Sequence, residues 1–460
     1  MAELDASSGA HFVFLAHFDG TNNDKNNLAL ADSQFSTNVG LISDLAEPIA
    51  ESNPNFGSYY QVGVGANPGE GGWAAGVDPN GSMRGTAERA YDKFAVDASA
   101  WLREHPDANP EEALQVVATG FSRGSGTAAL FSQLLYERGL ADATSGEVLV
   151  PPGRLGLSAA MIYDPVTTGQ RGNDAFSPTS QNITVVQAQN EYRTPFQGVD
   201  HSDHPGVTVV PVMGNHCDIG GGYDQGIAAM VAEDSLGWLK RSGLDLGDLP
   251  ADRQFDGQAV VHHERDMPIW GSPDYPVTHE PTDGLDAPRQ LTGDAREAST
   301  SPSGWRQFEG MDGTVYTKSF THPNTGEPLE VTLVQQNGVA GYVEMYTSRL
   351  DDQGRVEATE HRTLKSAPVW DIMDVADQRM APRAPEGRSH AAAGEEAARQ
   401  TQQADEAANE RAEADPNADV DLPPHLRPLP ITPQGSSADN VAQAQEQDSH
   451  QTVAEEALAR

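Results

Sequence analysis

Residues 113–138 restrict the fold more than any other stretch. Ala113-Leu-Gln-Val-Val-Ala-Thr119 is a short apolar run that reads as a buried strand, and it enters Gly120-Phe121-Ser122-Arg123-Gly124. An amphipathic helix then runs to about Glu137, closed by the basic turn and C-cap of Arg138-Gly139. A serine between strand and helix, with glycines two residues to either side, fits a strained turn that larger neighbours would crowd. Such a turn holds the serine Oγ out for attack and sets the Arg123 backbone N–H where an oxyanion develops. The bland alternative is a glycine-rich turn without chemistry, or one that cradles a phosphate.

Further strands are expected at 11–16, 155–163, 183–188 and 207–213, and the spacing of apolar residues predicts a helix over 84–104. Strands alternating with helices indicate an α/β fold with a mostly parallel sheet over 1–245. A serine nucleophile needs a base and an orienting acid, in the chain order Ser, acid, His. Asp164 ends the 155–163 strand, and His216 follows the 207–213 strand beside a Gly-Gly-Gly turn. These two are the candidate acid and base, against structural readings as a loop-capping aspartate and a core histidine. His263 is the alternative base, with His17 and His262 as further competitors.

The loop Asp19-Gly20-Thr21 follows the first strand, so Gly20 and Thr21 are candidate second oxyanion donors; an Asx turn is the plain reading. A calcium loop over 19–30 would need a bidentate Glu where Leu30 stands. Asp200-His201-Ser202-Asp203-His204 has metal-like composition but reads as a solvated turn, and Cys217 reads as a small buried residue. No metal and no cofactor are expected.

Composition bounds the rest. The 460 residues carry 29 basic and 68 acidic side chains, a net charge of −39, which excludes nucleic-acid binding through phosphate neutralisation. One cysteine excludes a disulfide framework, and the acidic N-terminus lacks the pattern of a secretory signal. Production in the cytoplasm is therefore expected, with any export by a signal-less route. Residues 246–303 read as a loop-rich connector, 304–365 as a small antiparallel β unit, and 371–460 as a disordered Ala/Glu/Gln/Pro-rich tail. No aromatic residue follows Trp370. Residues 381–460 hold 6 basic and 15 acidic side chains, which leaves −30 on 1–380.

Several segments of 1–245 together resemble the α/β-hydrolase family that contains the first class of type VI secretion phospholipase effectors (Tle). They are Phe18-Asp-Gly-Thr-Asn-Asn23, Tyr59-Tyr-Gln-Val-Gly-Val-Gly65, Gly120-Phe-Ser-Arg-Gly124, Asp164-Pro-Val166, Asn190-Glu-Tyr-Arg193 with Phe196, and Gly214-Asn-His-Cys-Asp-Ile-Gly-Gly-Gly-Tyr223. The resemblance implies a Ser122–Asp164–His216 lipase acting on phospholipid or other membrane esters, with an immunity protein and secretion machinery as partners. Departures are Asp164-Pro165-Val166 where the family reads Asp-Thr-Val, Cys217 where it reads Ser, and Gln187 where many relatives carry His. The residues themselves leave two rivals: a non-catalytic α/β binding module recruited through its acidic tail, and a hydrolase of soluble esters. They do not set an oligomeric state.

Overall fold

The computed structural model describes residues 4, 9–31, 33–66, 79–166, 172–191, 193, 196–222, 226–255, 257, 259, 261–262, 291–339, 342–365 and 368–381. The chain opens with β1 (Phe12–Phe18), α1 (Asn38–Ser52), β2 (Phe56–Gln61), α2 (Pro79–Glu104), the single turn α3 (Pro110–Ala113), β3 (Leu114–Phe121) and α4 (Arg123–Arg138). A short hairpin, β4 (Leu140–Ala141) and β5 (Val148–Val150), precedes β6 (Ala159–Tyr163), β7 (Ile183–Ala188), β8 (Val207–Val212), α5 (His216–Gly220) and α6 (Ile227–Arg241). Six of these strands form one parallel sheet in the order β2-β1-β3-β6-β7-β8.

Every residue of β1 is buried, because helices cover both faces of the sheet. Phe12, Phe14, Ala16 and Phe18 pack with Met83, Ala87, Phe94 and Phe131 of α2 and α4. Val13 and Leu15 point the other way, onto Val39, Ile42 and Ala46 of α1 and Val231, Leu236 and Leu239 of α6. The period of two in a strand sends alternate side chains to opposite layers, so a continuous apolar run is what a central parallel strand requires. Each fully buried Phe contributes about 1.5–3 kcal/mol by leaving water. After β1 the chain lays β2 on one side of it, then crosses to place β3 on the other. That reversal opens a crevice at the carboxyl ends of β1 and β3, where α/β sheets bind ligands.

The second sheet is antiparallel: β9 (Ser299–Thr300), β10 (Arg306–Glu309), β11 (Gly313–Thr321), β12 (Pro328–Gln336), β13 (Tyr342–Leu350) and β14 (Val356–Lys365), in reverse order across the sheet. It packs α7 (Val369–Met380) on one face through Trp305, Tyr316, Leu333, Ile372 and Met373. Phe308, Val315 and Val334 on the other face meet Tyr136 of α4 and Ala175. Arg84 and Arg138 both reach Asp312, at 2.5 and 2.6 Å, across the same junction. The antiparallel sheet and the parallel sheet therefore belong to one compact unit.

Two expected boundaries move. Residues 371–380, expected to be disordered, are helical, because Val369, Ile372, Met373 and Ala376 recur at helical spacing and find an apolar sheet face. The end of the expected connector, 291–303, is tied down rather than loose: Asp294 N–H donates to Asp174 Oδ2, Arg296 N–H to Asn173 Oδ1, and Ser299–Thr300 joins the sheet. The remainder of the expected tail, 382–460, lies outside the described residues, as does His263. Among the described residues, no helix is long and apolar enough to cross a membrane.

Candidate active site

Ser122 sits at φ 56° and ψ −127°, between the last residue of β3 and the first of α4. Its N–H donates to Tyr163 O at 3.1 Å, which ties the turn to the neighbouring strand β6. A non-glycine residue in this region costs on the order of 1–3 kcal/mol and persists only where its surroundings force it. The forcing comes from crowding at the flanking glycines. A Cβ on Gly124 would lie 2.1 Å from Phe18 O and 2.5 Å from Asp19 O, and one on Gly120 would lie 2.9 Å from Gly124 O. Helix α4 can start this close to the end of β1 only without those side chains.

Asp164, at the end of β6, is fully buried and also has positive φ, 42°. Its Oδ1 accepts the Ala188 N–H at 2.9 Å, and its Oδ2 accepts from His216 Nδ1 at 2.6 Å. These two residues are 52 positions apart in sequence. The contact fixes the imidazole with its Nδ1 protonated and leaves Nε2 as the basic nitrogen. Phe121 and Phe196 flank the ring at centroid distances of 4.6 and 4.8 Å. Among the described residues, Ser122 Oγ and His216 Nε2 take no hydrogen bond. Such bonds commonly close only with substrate in place.

The His216 loop has its own supports. Asn215 and Asp218 form a reciprocal capping box at the start of α5, with both bonds at 2.9 Å. The His216 N–H donates to Glu191 Oε2 at 3.2 Å; Glu191 is held by two charge-assisted bonds from Arg193, whose guanidinium lies 3.8 Å over Phe196. A Cβ on Gly220 would strike the Phe121 ring at 2.0 Å, so the glycine run lets α5 press against the end of β3.

Asp19 organises the loop after β1. Its Oδ1 accepts from Gly20 N–H at 2.8 Å and Thr37 Oγ1 at 2.7 Å, and its Oδ2 accepts from Tyr60 Oη at 2.6 Å. Burial pushes the carboxyl up to about 6 despite those three bonds. The Gly20 N–H is thus committed to Asp19, which removes it as an oxyanion donor in this conformation. Thr21 remains: its N–H makes no backbone hydrogen bond among the described residues, and its Oγ1 accepts from Arg123 Nε at 2.7 Å. Arg123 is only 7 % exposed. Burial lowers its pKa from the ordinary value.

The competing histidines go elsewhere. His17 is sealed inside the sheet between Thr119 and Ser58, at 3.0 and 3.2 Å, and burial lowers it to about 3. His262 pairs with Asp218, Nδ1 to Oδ1 at 2.5 Å. In the 200–204 turn His201 and His204 are buried, not solvated, and pack on Phe176. Asp19, the first position of the hypothetical calcium loop, has both oxygens engaged as above. Among the described residues no group of three or more His, Cys, Asp or Glu gathers as a metal site. Cys217 is partly buried and forms no disulfide.

Comparison with known proteins returns no matching family model and no matching curated protein. Solved structures do align. An uncharacterized protein from Pseudomonas aeruginosa matches at 14 % identity and TM-score 0.40, over 54 % of this chain and 48 % of that one. The Tle1 effector bound to the VgrG spike of the type VI secretion system matches at 18 % and 0.31, over 47 % and 52 %. Esterase PE8 matches at 13 % and 0.26, over 52 % of this chain and 96 % of that one. The alignment thus spans about half the length of the first two. At such scores the likeness decides nothing about chemistry, which rests on the site's own geometry.

Proposed function

We propose that this chain is a serine ester hydrolase with Ser122 as nucleophile, His216 as general base and Asp164 as its orienting acid. The observation that carries this reading is the 2.6 Å Asp164–His216 bond, in a sheet that also holds Ser122 in a strained strand-to-helix turn. In the reaction, Ser122 Oγ attacks the ester carbonyl and gives its proton to His216 Nε2. The carbonyl oxygen becomes an oxyanion, met by the N–H groups of Arg123 and Thr21. Collapse breaks the bond to the alcohol, which leaves with the proton from His216. Water, deprotonated by the same nitrogen, then releases the acid from Ser122.

The substrate class we favour is the acyl ester of phospholipids, supported by the motif resemblance over 1–245. The same resemblance supports a role as a secreted effector that acts in a target cell, held in check by an immunity protein. A fluorophosphonate probe tests the nucleophile: labelling of the intact chain and its loss in Ser122→Ala are expected. A folded chain that resists the probe would instead favour a non-catalytic binding module. Fatty-acid release from phosphatidylethanolamine and phosphatidylglycerol vesicles, compared with soluble esters, tests the substrate class.

A further inference from the structure

Two arginines at this site are equally buried, each 7 % exposed, yet they are treated differently. Arg193 is neutralised by a two-pronged contact with Glu191. Arg123, beside the nucleophile, donates Nε to a neutral hydroxyl, Thr21 Oγ1, and among the described residues no carboxylate pairs with it. That is unusual in a chain with 68 acidic side chains. A largely buried cation without a counter-charge carries a desolvation cost that a bound anion offsets well. Its position strengthens the point: Arg123 is the first residue of the 16-residue helix α4, whose unpaired N–H groups and dipole favour negative charge at the same end. The Nε bond to Thr21 fixes the plane of the guanidinium over the loop after β1 and leaves its two terminal nitrogens without a hydrogen-bond partner among the described residues. A fork of two N–H donors is the geometry that matches a phosphate or carboxylate edge.

We infer that the Arg123 side chain is a specificity residue that holds an anionic group of the ester substrate, a phosphate in the first instance, beside Ser122. The assignment rests on the ester-hydrolase reading and adds to it a charge requirement on the substrate. It separates two jobs on one residue: the backbone N–H serves the oxyanion, and the guanidinium serves an anion elsewhere on the same molecule.

The test uses a matched pair, 1-butyrylglycerol and 1-butyrylglycerol 3-phosphate, which share the ester and differ in the phosphate. The wild-type chain is expected to prefer the phosphorylated ester in kcat/KM. In Arg123→Gln the ratio of the two kcat/KM values should fall roughly 10- to 100-fold, the range of a lost hydrogen-bonded charge contact. Arg123→Lys keeps the charge without the fork and should lie between; melting curves of both variants separate misfolding from lost recognition. Equal loss on both esters, or an unchanged ratio, would overturn the assignment. Inorganic phosphate should compete with the neutral ester in wild type but not in Arg123→Gln. Competition without any preference for the phosphorylated ester would mark a free-anion site and refute the substrate role. Should wild type cleave neither ester and also resist the fluorophosphonate probe, the hydrolase reading fails on its own. Calorimetric binding of the phosphorylated ester to Ser122→Ala, lost when Arg123→Gln is added, then still decides the anion subsite.

Discussion

Gly124→Ala is the smallest perturbation that tests the elbow. The new methyl would lie 2.1 Å from Phe18 O, 2.7 Å from Phe18 C and 2.5 Å from Asp19 O. All three are main-chain atoms of the strand end that carries the Gly20–Thr21 loop, so no side chain can swing aside to make room. Ordinary contact at 3.4 Å or more requires the start of α4 and the end of β1 to separate by about 1 Å, and overpacking of that kind costs about 1–3 kcal/mol. The same shift would move apart the two proposed oxyanion donors, Arg123 N–H and Thr21 N–H. A misplacement of that size at a reacting centre costs about 100-fold in rate. Gly237, inside α6, provides the contrast: its added Cβ would meet only the end of a flexible side chain, Arg241 Nη1, at 3.2 Å. Gly237→Ala should raise stability by about 0.5–1 kcal/mol through helix propensity, with turnover unaffected. Urea unfolding and hydrolysis of a soluble butyrate ester read both quantities. Wild-type stability and rate in Gly124→Ala would refute the claim that close approach to β1 defines the elbow.

Three other outcomes are expected. Asp164→Asn should keep the fold yet lose roughly 10³–10⁴-fold in turnover, because the imidazole loses its anionic partner; this is read by steady-state kinetics. Asp19 has a folded value of about 6 against 3.8, so between those pH values the folded chain binds more protons and this carboxyl's stabilising contribution falls as pH rises. Asp19→Asn mimics the protonated form, and its stability relative to wild type should climb by up to about 3 kcal/mol from pH 4 to pH 7 in urea titrations. Glu137, buried where α4 meets the second sheet, is raised well above 4.5 by that burial; among the described residues its Oε1 has no hydrogen-bond partner, while its Oε2 accepts from Asp312 N–H at 2.8 Å. Its stabilising protonated form is complete below 4.5 and lost as pH rises, so Glu137→Gln should gain on wild type between pH 5 and pH 8 in the same assay.

Ser122, Asp164 and His216 were legible because each carries a local signature: a glycine pattern, a strand end, a glycine turn, all in one chain order. The parallel layer was legible from its apolar runs, since strands covered on both faces cannot alternate. Helix α1 and strand β2 were not. Pro48 interrupts the helical pattern of 38–52, and β2 is mostly half-buried, with Gly57 and Ser58 diluting its apolar character. The supports of the site were harder still. Asp19 meets Thr37 and Tyr60 across 18 and 41 residues, and Glu191 meets His216 across 25, so no local spacing announces them. The Asn215–Asp218 capping box does carry a local signal, polar residues three apart before a short helix. The second sheet was legible as alternation. Its docking was not, since Phe308 and Val315 look like any core-facing residues until Tyr136 is set against them.

Net charge and local charge pull in opposite directions here. An acidic body repels an anionic surface at long range, but that repulsion is screened beyond about 8 Å at physiological salt. Inside that distance the start of α4 and Arg123, which no carboxylate pairs with among the described residues, add positive potential near Ser122. Surface acidity therefore sets how often an anionic substrate arrives, and the buried guanidinium sets whether it stays. On the proposed phospholipid reading, the approach to a lipid surface would accordingly be made by uncharged groups. Met213, 62 % exposed three residues before His216, is one, and Val210 on the edge strand β8 is another. On the same reading, a chain with exposed apolar side chains and a largely buried cation would extract single lipids rather than adhere to the bilayer, so its rate on vesicles should follow the supply of loosely packed lipid more than the density of surface charge.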